Sequence, residues 1–232
     1  MPTVVIGGHT RSVGKTSVVA GIIAALPDFH WTALKITQYG HGICSANGEA
    51  CDCVTADHSL AVSEEKDRSG DSDTSRFLLA GADHSWWVRT QQGELAEAMP
   101  RIRKILASTQ NAIIESNSIL RFLKPDLYLT VLDPETTDFK ASAQTFLDRA
   151  DAVLLHSVKT GGEHSGARFA VNSGDTAWER VSLKPVSNRP IFNIRPPHYV
   201  TPEVIEFVRA KLSALPPDKI KAIHCFPHIS SS

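Results

Sequence analysis

Apolar positions along the chain fall into two kinds of run. Short, continuous runs rich in β-branched residues occur at 3–6, 31–37, 84–89, 111–115, 127–132, 152–156 and 190–194. Apolar residues at helical spacing occupy 14–26, 72–80, 94–107, 140–150 and 202–212. Continuous rather than alternating runs suit strands buried on both faces. Their alternation with helices predicts a mostly parallel, twisted sheet between two helical layers, a three-layer α/β fold. Ligands of such sheets bind at the carboxyl ends of the strands. Lys35, Glu115, Asp133 and the turn after Ile6 fall at predicted strand ends. Residues 39–72 break the pattern, being polar, rich in glycine and cysteine, and poor in apolar positions. A stretch that long inside a compact domain reads as a functional or metal-stapled loop. Residues 157–190 show little pattern beyond a short helix near 166–171.

Composition adds limits. A chain of 232 residues suits one α/β domain over 1–232 with a Cys-rich insertion at about 39–72. Its net charge of −1, without a basic block, argues against nucleic-acid partners and a polybasic membrane role. No apolar run reaches the length of a membrane span, and no signal-peptide pattern opens the chain. A cytoplasmic location is expected, where its 4 cysteines serve as thiols or metal ligands rather than disulfides.

The densest chemistry lies in Gly7-Gly8-His9-Thr10-Arg11-Ser12-Val13-Gly14-Lys15-Thr16-Ser17. A buried strand stops at glycines, crosses a polar turn and enters a helix through Gly-Lys-Thr-Ser. Glycines let the backbone approach phosphates, and a helix N-terminus points N–H groups at the anion. Gly8, Arg11, Ser12, Val13, Gly14, Lys15, Thr16 and Ser17 form the candidate nucleotide-binding set. Lys15 reaches the β- and γ-phosphates, and the Thr16 hydroxyl serves Mg²⁺. Lys35 can neutralise charge on a transferred phosphoryl group. Glu115 can contact Mg²⁺ directly or through water, since Mg²⁺ takes oxygen ligands and keeps several waters. Lys15, Lys35 and Glu115 are therefore the candidate catalytic residues.

The spacing is unusual: five residues, not four, separate Gly8 from Gly14. In this it resembles the loops of dethiobiotin synthetases and cobyrinic acid a,c-diamide synthases, within the P-loop NTPase class. The segment Gly70-Asp71-Ser72-Asp73-Thr74-Ser75-Arg76-Phe77-Leu78-Leu79-Ala80-Gly81-Ala82 resembles the molybdopterin-guanine dinucleotide biosynthesis protein B pattern, as does Lys35-Ile36-Thr37. There Asp71 either caps a helix or adds a Mg²⁺ contact. In these families the strand ending at Glu115 continues with glycine; here it continues Ser116-Asn117-Ser118. The resemblance covers the N-terminal half and implies binding and slow hydrolysis of ATP or GTP in cofactor or metal-centre assembly. It also implies a homodimer serving a cofactor-assembly protein or an unidentified small molecule. Two other readings stand beside it, a kinase or ligase of dethiobiotin-synthetase type and a nucleotide-switched metal-delivery protein.

Those families do not account for His41-x2-Cys44-x6-Cys51-x-Cys53. One imidazole and three thiolates match the donor set of tetrahedral zinc, with His58 as a substitute for His41. Another soft metal, an iron–sulfur cluster, a redox pair and plain thiols are the alternatives. No Asn-Lys-x-Asp stands after the strand at 152–156, so guanine is not favoured over adenine. His156 reads as a strand-end histidine, and Trp86 and Trp87 as core and interface residues.

Overall fold

The computed structural model describes residues 1–40, 60–157 and 182–216. Among them, eight strands form one sheet in the order β3-β4-β2-β5-β1-β6-β7-β8. The strands are β1 (Thr3–Gly8), β2 (Trp31–Tyr39), β3 (Leu60–Glu64), β4 (His84–Gln91), β5 (Asn111–Glu115), β6 (Leu127–Leu132), β7 (Ala152–His156) and β8 (Ile191–Ile194). Every neighbouring pair is parallel except β3 with β4, which is antiparallel. The helices are α1 (Lys15–Ala25), α2 (Asp73–Leu79), α3 (Leu95–Ala107), α4 (Ala141–Thr145) and α5 (Pro202–Ser213).

Alternate residues of each central strand enter opposite cores, which is why those strands are apolar throughout. Val4, Ile6, Ala33, Ile113 and Leu129 face α1, α2 and α5, where Val18, Ile22, Phe77, Val204 and Val208 meet them. Val5, Leu34, Ile114 and Tyr128 face α3, packing against Leu95, Met99 and Ile102. The three-layer α/β arrangement expected from the pattern is the observed one.

Three expectations change. Leu60–Glu64, read as part of the long loop, is an edge strand paired from Leu60–Thr90 to Glu64–Trp86. Lys35 is not at the end of its strand, because β2 continues four residues beyond it to Tyr39, paired with β4. It is nonetheless level with the end of β5, since the register sets Lys35 opposite Glu115, as Ile6 is on the other side. The helix predicted over 140–150 stops at Thr145, whose hydroxyl bonds back to Ala141 O at 2.8 Å, and a 3-10 turn follows at Leu147–Arg149.

Candidate functional site

Position 9, where the common spacing would put a glycine, is filled by a buried histidine. Its N–H continues the β1–β6 ladder to Val131 O at 3.2 Å, and its ring packs 5.3 Å from that of Phe139. The residue lengthening the motif is thus absorbed below the loop. The crown is left to residues 10–14, with Arg11 and Ser12 exposed and Val13 buried. Ser12, at φ 57, and Gly14, at φ 91, turn the backbone through the left-handed region. A Cβ on Gly14 would stand 2.2 Å from Cε1 of Tyr199, so close packing demands glycine as much as the turn does. Helix α1 begins immediately after. No side chain caps it and no acid lies in its first turn, so its positive end is not offset by a neighbouring carboxylate and suits an anion.

Lys15 folds back over this crown, its ammonium donating to Thr10 O at 2.6 Å. Burial, with Lys140 and Lys35 nearby, pushes it down to about 8 against the pull of Glu115. Beneath the loop, Thr16 Oγ1 donates to Glu115 Oε2 at 2.8 Å, and Lys35 Nζ donates to Glu115 Oε1 at 3.0 Å. Glu115 is 6% exposed. Lys35 also donates to Asp73 at the start of α2. Burial draws the Lys35 ammonium down, but Glu115 and Asp73 outweigh it and hold it above its ordinary range. The charged centre is thus a chain, Thr16–Glu115–Lys35–Asp73, ending against α2.

Arg76, one turn into α2, donates to Ser17 Oγ at 3.1 Å and lies 3.9 Å from Asp73, so α2 grips α1 just behind the loop. Asp71 is neither the cap nor part of this chain. Ser72 caps α2, its hydroxyl accepting from Ser75 N at 3.0 Å, and Asp71 sits exposed outside it. The carboxylate brought to Lys35 is that of Asp73, because α2 starts one residue later than an Asp71 cap requires. Asp133 holds its own turn, accepting from Glu135 N and Thr136 Oγ1 at 3.0 Å each.

Several contacts have no counterpart in the sequence motifs. Asn117 stands just past Ser116, the position where the families that the sequence resembles carry glycine. Its amide accepts from Gly8 N at 3.0 Å and donates to Gly8 O at 2.8 Å, clamping the root of the loop. A Cβ at Gly7 would fall 2.2 Å from Asn117 Oδ1, so the first glycine makes room for that clamp. His156 donates through Nε2 to Val13 O at 3.0 Å, with the Tyr199 ring edge-on to it at 5.7 Å. Trp86 is half-buried against the core on the α3 face of the sheet. Trp87 is half-buried on the other face, donating to Thr37 Oγ1 at 3.1 Å with Arg89 over its ring. The departure from Glu-Gly after β5 was a visible signal for Asn117; Tyr199 lay too far along the chain to give one.

A Mg²⁺ ion fits the oxygens of Thr16 and Glu115, a hard donor set beside the phosphate loop. His41, Cys44, Cys51, Cys53 and His58 lie outside the described residues. Among the described residues no group of three or more His, Cys, Asp or Glu is arranged to hold a metal. No described helix is long and apolar enough to cross a membrane.

The parallel sheet with β1 between β5 and β6, the glycine-bounded loop into α1, and the lysine and acid that meet it define a P-loop NTPase fold. Neither a protein-family model nor a curated protein matches the sequence. Among solved structures, HypB from Helicobacter pylori in complex with nickel is similar at 15% identity and TM-score 0.43, over 96% of this chain and 91% of its own. LpxK from Aquifex aeolicus in complex with ATP has 16% identity and TM-score 0.43, over 83% of this chain and 53% of its own. MobB from Bacillus subtilis has 14% identity and TM-score 0.39, over 91% and 98%.

A pH dependence follows from Lys15. With its ammonium at about 8 in the free protein, a bound polyphosphate would raise it again, so binding takes up a proton above pH 8. Nucleotide affinity is expected to fall about tenfold between pH 7 and pH 9, readable by titration calorimetry in two buffers of different ionisation heat. The opposite trend is expected in the stability of the free protein. The unfolded chain binds this proton more tightly, so stability rises from pH 8 toward the ordinary lysine value of 10.5. A flat affinity profile would contradict a partly desolvated Lys15 at the phosphates.

Proposed function

We propose that the chain binds a nucleoside triphosphate, ATP or GTP, with Mg²⁺ and hydrolyses it slowly in the service of cofactor or metal-centre assembly. The observation that carries this is the contact chain from the loop to the adjacent strands: Thr16 to Glu115 to Lys35, with Lys15 above it. The loop N–H groups and Lys15 would hold the β- and γ-phosphates. Thr16 and Glu115 would hold Mg²⁺, which supplies charge neutralisation on the phosphate oxygens when bound. Lys35, kept protonated by its two carboxylates, would stabilise charge gathering on the terminal phosphoryl group. The resemblance to molybdopterin-guanine dinucleotide biosynthesis protein B supports the assembly role.

One observation favours a second reading, transfer of the phosphoryl group to a small acceptor. Beyond Lys35, the same face of β2 and β4 presents the half-buried side chains of Thr37, Trp87 and Arg89, a polar and aromatic surface at the phosphoryl end. Hydrolysis of ATP and GTP with Mg²⁺, run alone and against a metabolite collection, separates the two. The assembly reading expects slow turnover that no metabolite accelerates by more than about twofold; acceleration by one compound of about 100-fold or more would replace it with the transfer reading.

A further inference from the structure

The segment from β6 to α4 folds back onto the phosphate loop and is anchored there at three points. Thr10 Oγ1 donates to Asp138 Oδ2 at 2.7 Å. The Phe139 ring lies 5.3 Å from that of His9. The Lys140 N–H donates to His9 O at 2.8 Å. Lys140 O in turn accepts from Ala143 N at 2.9 Å and Gln144 N at 3.1 Å, so α4 fixes the same residue from its other side. Lys140 is thereby tied by its backbone to the root of the loop, with a partly buried side chain.

The position matters because of the charges around it. Lys140 lies in the field of Arg11, Asp138, Lys35 and Glu115, and it acts on Lys15. Lys35 is neutralised by Glu115 and Asp73, and Asp138 is engaged by Thr10. Among the described residues neither Lys15 nor Lys140 makes an ion pair. Lys140 is tied to the loop through His9 O, and its ammonium, partly desolvated like that of Lys15, opposes the charge on Lys15. Their arrangement is favourable when an anion of more than one charge sits between them. The sheet supplies the direction, since β5 and β6 flank β1 on opposite sides. Lys35 approaches the loop from the β5 side and Lys140 from the β6 side.

We propose that Lys140 is a third phosphate-binding lysine, contacting the terminal phosphate of the nucleoside triphosphate from the β6 side of the loop. The proposal rests on the reading of the loop as a triphosphate site and adds a residue outside its motif. The strap at 138–140 would then join the loop crown, through Thr10, to the group that senses the terminal phosphate. A diphosphate, lacking that group, would leave Lys140 without its ligand.

The test uses the full chain with Lys140→Met and Lys140→Arg, and Lys124→Met as a control removing an exposed charge elsewhere. Binding of MgATP, MgADP, MgGTP and MgGDP is measured by calorimetry, with thermal melting of each free variant. For the nucleotide the wild type prefers, Lys140→Met is expected to weaken the triphosphate about tenfold or more and the diphosphate less than twofold. Lys140→Arg should recover most of the loss, and Lys124→Met should lose nothing. Equal weakening of triphosphate and diphosphate, or none, would overturn the assignment of Lys140 while intact wild-type binding left the loop reading standing. A wild-type chain that bound none of the four would overturn that reading and Lys140 with it.

Discussion

Replacing Lys15 with alanine is expected to lower triphosphate hydrolysis by about 10²–10³-fold and to abolish the fall in affinity above pH 8. The effect is large because the lysines nearby are held elsewhere, Lys140 on the β6 side of the loop and Lys35 on its two carboxylates. Lys35 is committed to Glu115 and Asp73, and the reach of Lys15 over the crown to Thr10 O is set by its place at the start of α1. The fold should survive, because the Lys15 ammonium is partly desolvated without an ion pair among the described residues, and its removal relieves that cost. Single-turnover hydrolysis and nucleotide titration of a variant whose melting temperature matches the wild type make the measurement. Unchanged binding and turnover would remove every nucleotide-based reading of this chain, including the role assigned to Lys140.

The second large effect belongs to Glu115. Glu115→Gln keeps the shape and a hydrogen-bond acceptor for Thr16, but removes the charge that Lys35 meets on β5. Lys35 would keep only Asp73, which is far more exposed than Glu115. Hydrolysis is expected to fall about 10²-fold or more, with a higher Mg²⁺ concentration needed for half-maximal activity. Stability should fall by about 1–3 kcal/mol, readable as a lowered denaturant midpoint, because a buried ammonium loses its better partner. A variant with wild-type turnover and wild-type Mg²⁺ dependence would leave Glu115 a structural residue that orients Lys35.

The difference between these residues and Asp71 shows how site and sequence relate. Glu115 was legible because it ends a run of buried residues whose strand could hardly be read otherwise, and β5, β6 and β7 begin and end where the apolar runs do. Asp71 and Asp73 flank the serine that caps α2. Choosing between them requires the start of the helix to within one residue, the least determined quantity in a sequence reading. Lys35 shows the reverse case. Its strand runs on to Tyr39, but register with β5 still delivers it to Glu115. Leu60–Glu64 was hidden because an edge strand half-open to solvent has no continuous apolar run, and its pairing with β4 is non-local.

The sequence by itself determined the three-layer α/β class, the phosphate loop with Lys15 and Thr16, and the acid at the end of β5. Each is written in adjacent residues: continuous apolar runs, glycines at a turn, and a lysine and threonine entering a helix. Tertiary structure alone decided that Asn117 clamps Gly8, that Tyr199 covers Gly14, that Asp73 reaches Lys35 and that the 138–140 strap closes on Thr10 and His9. Those contacts join residues far apart in the chain through side-chain reach and strand register. Such distances are set only when the two cores pack the helices onto the sheet, and no local pattern of residues encodes them.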